Sequence, residues 1–312
     1  MCAAEFPFSM IPRFSISPQG PEVSSLAYGL WRLAADPLGT SPARVRAKID
    51  ACLEAGITTF DHADIYGLYT CEGIFGQALA EAPELRDRME IVTKCGINAV
   101  CENRPGVRVA HYDASAAAIA RCVDRSLREL RTDRIDLLLV HRPDWLTSAE
   151  ETARGLQQVM QAGKVKQVGV SNYNPHQFAL LSRCLGCVPA TNQVEVSLLR
   201  MDAITDGTLD QCQAAEVHPM AWSPLAGGRL ITGEQPEALR TRAELARIAA
   251  EYGASAEQVA LAWVSALPSR PQVVIGTNQV ERIRDAAGSA RLTLERQHWY
   301  ELWTAAQGRK VP

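Results

Sequence analysis

Residues 58–67 read TTFDHADIYG, a β-branched and aromatic run that turns abruptly polar. Residues 58–60 have the character of a buried strand. Asp61, His62, Asp64 and Tyr66 do not, because a strand interior excludes charges that lack partners. The stretch is therefore a strand ending at the rim of a site, or a loop, and the rest of the chain decides between them. Short apolar runs recur at SLAYGLW (25–31), EIVTKC (90–95), IDLLLVH (135–141), VKQVGVSN (165–172), TNQVEVS (191–197), HPMAWS (218–223) and PQVVIGT (271–277). With 58–63 they make eight strand candidates.

Helical patterns fill the intervals. In SPARVRAKIDACLEAG (41–56) Val45, Ile49, Cys52 and Leu53 recur at three- and four-residue steps, with Ser41 and Pro42 as cap and first turn and Gly56 as the stop. DASAAAIARCVDRSLREL (113–130), SAEETARGLQQVMQAG (148–163) and TRAELARIAAEYG (241–253) behave alike. Such alternation demands parallel strands joined by crossover helices, and eight units close into a (β/α)8 TIM barrel. No GxGxxG follows the first strand, which argues against an open doubly wound sheet. One barrel domain is expected to absorb residues 1–312, preceded by a short N-terminal β-hairpin within 14–26.

Composition narrows the function classes. The chain is 47% hydrophobic and 21% charged with a net charge of −3, typical of a soluble enzyme and without a broad basic surface for nucleic acid. No apolar run reaches a membrane span and MCAAEFPFSM is no signal peptide, so a cytosolic protein is expected, with a monomer as the default. Nine scattered cysteines suggest reduced thiols; the lone Cys184-Leu185-Gly186-Cys187 lacks the second ligand pair of a zinc site.

In a barrel the catalytic groups sit at the C-terminal strand ends. Here those ends carry Asp61 and Tyr66, Lys94, His141, Ser171 with Asn172, and Ser223, while Gln193 lies within the sixth strand. A lysine cation beside a tyrosine favours the phenolate and is expected to bring its pKa, ordinarily about 10, down toward working pH. Asp61 would keep Lys94 charged, and a neutral His141 could hold a substrate oxygen against the Tyr66 hydroxyl. Such a group protonates an oxygen that gains charge as a hydride reaches a carbonyl carbon. Asp64 could compete with Asp61 for the lysine. His62 is expected to point away from Asp61, and a metal-hydrolase reading of Asp61, His62, Asp64 and His141 would leave Tyr66 and Lys94 idle.

These residues resemble the aldo-keto reductase family over essentially the whole chain. Asp61-His62-Ala63-Asp64-Ile65-Tyr66-Gly67 with Glu72 and Gly76, then IVTKCG, DLLLVHRPD, VGVSNY, NQVEVS and AWSPLAGGRL, follow the family's order. The resemblance implies carbonyl reduction with NADP(H), Asp61, Tyr66, Lys94 and His141 as the catalytic tetrad, and a small carbonyl or alcohol as substrate. It puts Ser171, Asn172 and Gln193 on the nicotinamide carboxamide, Trp222 on the ring, and Ser223, Leu225, Gly227 and Gly228 along the pyrophosphate. In GTNQVERIRDAA, Gly276, Thr277, Asn278, Arg282 and Asp285 fall where the family meets the 2′-phosphate and adenine. Gly276 supplies no cation and Ala286 loses an adenine contact, while Thr277, Asn278 and Arg282 keep donors for a phosphate. A family alternative is an NADP-binding sensor or regulatory subunit with little turnover. Trp31 is either core packing or a wall of the substrate pocket, Trp263, Trp299 and Trp303 belong to helix packing, and 96–113 is a long insertion expected at the mouth.

Overall fold

A computed structural model describes residues 11–311. Eight parallel strands close a barrel: Leu26–Gly29, Thr59–Asp61, Glu90–Cys95, Ile135–Val140, Val165–Ser171, Asn192–Glu195, Met220–Trp222 and Gln272–Ile275. Each pairs with its neighbour in sequence, and the last pairs with the first through Val273 opposite Leu26. The ladders end at Gly29, Glu195 and Trp222, before the ends of the apolar runs that contain them.

The helices begin where small polar residues satisfy free backbone donors. Ser41 caps Pro42–Glu54, Ser115 caps Ala116–Leu130 and Ser148 caps Ala149–Gln161, each accepting from the N–H three residues on. Strand Ile135–Val140 is buried at every position, as expected when one face meets the barrel interior and the other the helices. Trp263 and Trp299 stack at 4.7 Å, each indole N–H donating to the other's backbone carbonyl at 3.0 Å, which ties helix Ala256–Ser265 to helix Arg296–Gln307. The tryptophans are helix packing, as their spacing indicates.

The expected hairpin pairs Arg13–Ser15 with Glu22–Ser24 and forms the barrel's floor. Ile16 and Val23 are fully buried against Val92, Leu137 and Met220 of the interior. The Ile16 carbonyl accepts from His218 N–H at 2.8 Å, and Arg13 reaches Glu90, the first residue of the third strand, at 2.8 Å. With the floor sealed, the polar strand ends face the opposite opening.

The 96–113 insertion is a small hairpin, Ile97–Asn98 against His111–Tyr112. The Tyr69 hydroxyl donates to the Ile97 carbonyl at 3.1 Å and accepts from Ala99 N–H at 2.9 Å. The insertion is thereby moored beside the Tyr66–Tyr69 segment.

His62 leaves the second strand on the face opposite Asp61 and packs edge-on to Phe75 at 4.6 Å. Neither of its buried ring nitrogens has a hydrogen-bond partner, and burial, helped by Lys94, pushes its pKa down to about 3. An unfolded histidine takes up a proton near 6.5 and the folded one only near 3, so this stability is complete above pH 6.5 and drains as the pH falls toward 3. At full protonation the loss approaches about 5 kcal/mol. His62→Leu is therefore expected to flatten the acid limb of stability measured by urea unfolding between pH 6.5 and 3. Parallel curves for the two proteins would show that His62 is not the group responsible.

Candidate active site

Lys94, near the end of the third strand, is the buried centre of the site, with no solvent-exposed surface. Its ammonium donates to both carboxylate oxygens of Asp61 at 2.9 Å, to the His62 carbonyl at 2.7 Å and to the Tyr66 hydroxyl oxygen at 3.0 Å. Strand pairing fixes this meeting, because Asp61 and Lys94 stand on adjacent strands and Asp64 N–H donates to the Lys94 carbonyl at 3.0 Å. Asp64 does not compete for the ammonium: its side chain is paired with Arg125 at 2.7 Å.

The turn after Asp61 brings Tyr66 back over the lysine. Gly67 follows with a left-handed φ of 57°, and a Cβ there would lie 2.7–2.8 Å from Thr70, Ala34 and Cys71. Only glycine meets both demands. Farther along, helix Cys71–Ala80 approaches helix Ala116–Leu130 so closely that a Cβ on Gly76 would sit 2.0 Å from the Glu129 carbonyl oxygen. Glu72 is buried there, accepting from Thr93 at 2.6 Å and Ser126 at 3.0 Å. Gly67, Glu72 and Gly76 of the motif are thus packing requirements.

The electrostatics correct one expectation. Burial raises the Tyr66 phenol above its ordinary pKa, and the opposing pull of Lys94 does not overcome it. Burial likewise works to lower the Lys94 pKa, but Asp61 and Tyr66 outweigh it and the ammonium is held above its usual value. The resting pair is therefore ammonium and neutral phenol, with the phenol oxygen accepting from the lysine and its own proton left to donate. His141 stands with its ring centroid 6.0 Å from that of Tyr66. Burial, then Lys94 and Arg142, depress its pKa well below the ordinary value, so it is neutral at physiological pH.

Ser171 and Asn172 lie at the next strand end. Asn172 donates to Ser171 Oγ at 2.7 Å and accepts from the Trp222 indole N–H at 3.3 Å. Gln193 is turned toward the lysine cluster, its Nε2 donating to Asp61 at 2.8 Å. Asn172, Ser223 and Ala226 all adopt left-handed backbone with φ of 51–60°, uncommon for residues with side chains and a mark of built sites. Gly227 and Gly228 continue that loop, with φ of 68° and 102° and nothing within 4 Å of where a Cβ would be. Leu225, partly buried against the core, anchors it by accepting from Gly228 N–H at 2.9 Å. Its bare backbone can approach a phosphate.

The segment after the last strand is less free than its sequence suggests. Asn278 is partly spent: its Nδ2 gives one proton to the Arg32 carbonyl at 2.7 Å, and its Oδ1 accepts from buried Lys48 at 3.0 Å. Lys48, paired with Asp36 at 2.5 Å, needs that acceptor because it is sealed from solvent. Asp285 is likewise engaged, by Ser255 at 2.9 Å and Gln258 at 3.0 Å. Thr277 Oγ accepts from Gln279 N–H at 3.1 Å and keeps its proton. Arg282 is exposed and has no hydrogen-bond or ion-pair partner among the described residues.

Arg32 brings a cation beside Gly276. Its guanidinium donates to the Gly276 and Gly227 carbonyls at 3.0 Å each, bridging the two loops. Nothing in the sequence announced it, since the partners are 244 and 195 residues away. Trp31 is 59% exposed and lies by the Arg32 guanidinium at 5.1 Å, so it is not core. Arg142, which in the sequence only extends the motif around His141, lines a cavity of about 320 Å³ with Asn172 and Trp145.

A family model described as the aldo/keto reductase family matches residues 25–305. The chain is 50% identical over 290 residues to a 6-dehydroglucose reductase of Agrobacterium fabrum, covering 93% of this chain and 96% of that protein. It is 47% identical over 304 residues to oxidoreductase YdhF of Escherichia coli, covering 97% and 100%. A 6-dehydroglucose reductase of Novosphingobium aromaticivorans is 39% identical over 302 residues, covering 94% and 95%. Members of this family generally use nicotinamide cofactors in carbonyl chemistry. With its closed eight-stranded barrel and matching chain length, the protein belongs to the aldo/keto reductase family.

Proposed function

We propose that the protein reduces an aldehyde to an alcohol with NADPH, and that Tyr66 gives the proton. The observation that supports this most is the buried contact of Lys94 with Asp61 and Tyr66, which leaves the phenol proton free to donate. A bound reduced nicotinamide supplies the hydride to the carbonyl carbon. Tyr66 transfers its proton to the carbonyl oxygen as negative charge develops there. Lys94 stabilises the phenolate left behind, and Asp61 holds the lysine charged and in place. Neutral His141 donates to the same oxygen and orients it, after which Tyr66 regains a proton from solvent. Reduction of RCHO thus consumes one hydride and one proton and yields RCH2OH.

The residues fit the cofactor. Ser171, Asn172 and Gln193 would hold the carboxamide, Trp222 would face the ring, and Ser223 with 225–228 would receive the pyrophosphate. Thr277 and Arg282 would meet the 2′-phosphate, where the free guanidinium favours NADP over NAD. The names of two relatives make 6-dehydroglucose the first aldehyde to test.

Tyr66→Phe is expected to bind NADPH normally and lose steady reduction by several orders of magnitude, read as NADPH oxidation with a panel of aldehydes. Turnover near that of the parent would remove Tyr66 from the mechanism, and a single turnover of tightly held cofactor in the parent would favour a sensor. In Lys94→Met the phenol loses the cation that opposes burial, so alcohol oxidation should set in at higher pH than in the parent. An unchanged profile with activity retained would make the lysine structural. Arg282→Ala should weaken NADPH roughly tenfold to a hundredfold and NADH little, measured by quenching of tryptophan fluorescence. Equal losses for the two cofactors would show that Arg282 does not read the phosphate.

A further inference from the structure

The cavity beside His141 has a chemistry that the tetrad does not use. Its wall carries Arg142, Tyr112, Trp145, Asn174 and Gln177, and it adjoins Asn172. Arg142 has no hydrogen-bond or ion-pair partner among the described residues, so a planar fork of donors faces the cavity unspent. Asn174 and Gln177 are oriented by a reciprocal capping box, in which each side-chain oxygen accepts from the other's backbone N–H, at 2.9 and 3.0 Å. That arrangement leaves both amide NH2 groups as donors. Among the described residues no carboxylate lines the space, although Arg142 lies close enough to Glu195 for the two charges to interact. Tyr112 and Trp145 meet edge to face at 5.7 Å, and Trp145 is 80% exposed.

The wall is fixed before any ligand arrives. Asp144 spends its carboxylate on the loop itself, accepting from Ala114 N–H and Leu146 N–H at 3.0 Å and from the Thr147 hydroxyl at 2.5 Å. The turn bearing Arg142 and Trp145 is therefore locked to the base of the insertion that bears Tyr112. An aromatic surface beside a set of fixed donors suits a ring with apolar C–H faces and several hydroxyl oxygens. The cavity adjoins His141 through Asn172, whose Nδ2 donates to the His141 carbonyl at 3.3 Å, so a molecule whose aldehyde lay at Tyr66 would extend toward it.

We propose that this cavity is a sugar subsite: a hexose whose C6 aldehyde lies at Tyr66 rests against Trp145 and Tyr112 and accepts hydrogen bonds from Arg142, Asn174 and Gln177 on its remaining hydroxyls. This rests on the reading of the chain as an aldehyde reductase and assigns the residues that select its substrate. Simple aldehydes reach the tetrad without touching the subsite, so selection shows as a ratio between substrates. An effect of Arg142 through the neighbouring His141 would change both substrates alike and leave that ratio constant.

The test compares kcat/KM with NADPH for 6-dehydroglucose and for propanal in the parent, Arg142→Met and Trp145→Ala; Trp145 is exposed, so its removal costs no core packing. Saturation-transfer NMR with glucose, the corresponding alcohol, reads occupancy in the NADP⁺ complex without turnover. The parent is expected to favour the sugar aldehyde, and each variant to lower the ratio by roughly tenfold, through KM for the sugar, with loss of the glucose signal. An unchanged ratio in both variants overturns the subsite, as does a stronger parent preference for succinic semialdehyde, whose carboxylate would make the site one for oxyanions. Propanal reduction without glucose binding removes the subsite and leaves the reductase. Arg142-dependent glucose binding without turnover of either aldehyde keeps the subsite and removes the reductase.

Discussion

A lysine ammonium sealed from water is the constraint on which the site depends. Lys94 has no exposed surface, and a bare charge there would cost several kcal/mol. It is tolerated because its three protons have Asp61, the His62 carbonyl and Tyr66 as acceptors at 2.7–3.0 Å. Meeting that need fixes the ends of the second and third strands, the turn through 62–66 and the tyrosine's oxygen. The acceptor that completes the lysine's shell is a phenol whose own proton remains available, and the proposed chemistry draws on that proton.

The barrel provides what such a centre needs. A hairpin seals one end with Ile16 and Val23, so the strand interiors can be apolar and the polar groups gather at the other end. The loops there divide the work. Those after the seventh and eighth strands, bridged by Arg32, present bare backbone and a free arginine, Arg282, while those after the third, fourth and fifth strands form the cavity around Arg142. Fixed loops would suit the proposed two-reactant site, because orientation is then set before binding.

Much of this was legible in the chain. The eight strands, the hairpin and the convergence of Asp61, Tyr66, Lys94 and His141 on one opening follow from apolar runs that each finish in a polar group. What was not legible depends on environment or distance. The sign of the Tyr66 shift was missed because burial, which outweighs Lys94, cannot be read from neighbours in sequence. Asn278 looked like a fully free donor because the Arg32 carbonyl, which takes one of its amide protons, is 246 residues away. The two-residue strands in 96–113 are too short to carry a periodicity. Arg142 stands next to His141 in the sequence, but that it lines a cavity appears only in the structure.

The protonation state of Lys94 tests the account most directly. Lysine labelled with 13C at Cε, with the Lys94 signal assigned by its loss in Lys94→Met, can be titrated by NMR in the cofactor-free protein. The pairing with Asp61 and Tyr66 predicts that Lys94 stays protonated to a pH above 10.5, the ordinary value for a lysine. Deprotonation below that value, as burial alone would produce, would mean that the carboxylate and phenol do not hold the ammonium, and the proton-transfer scheme built on it would fall.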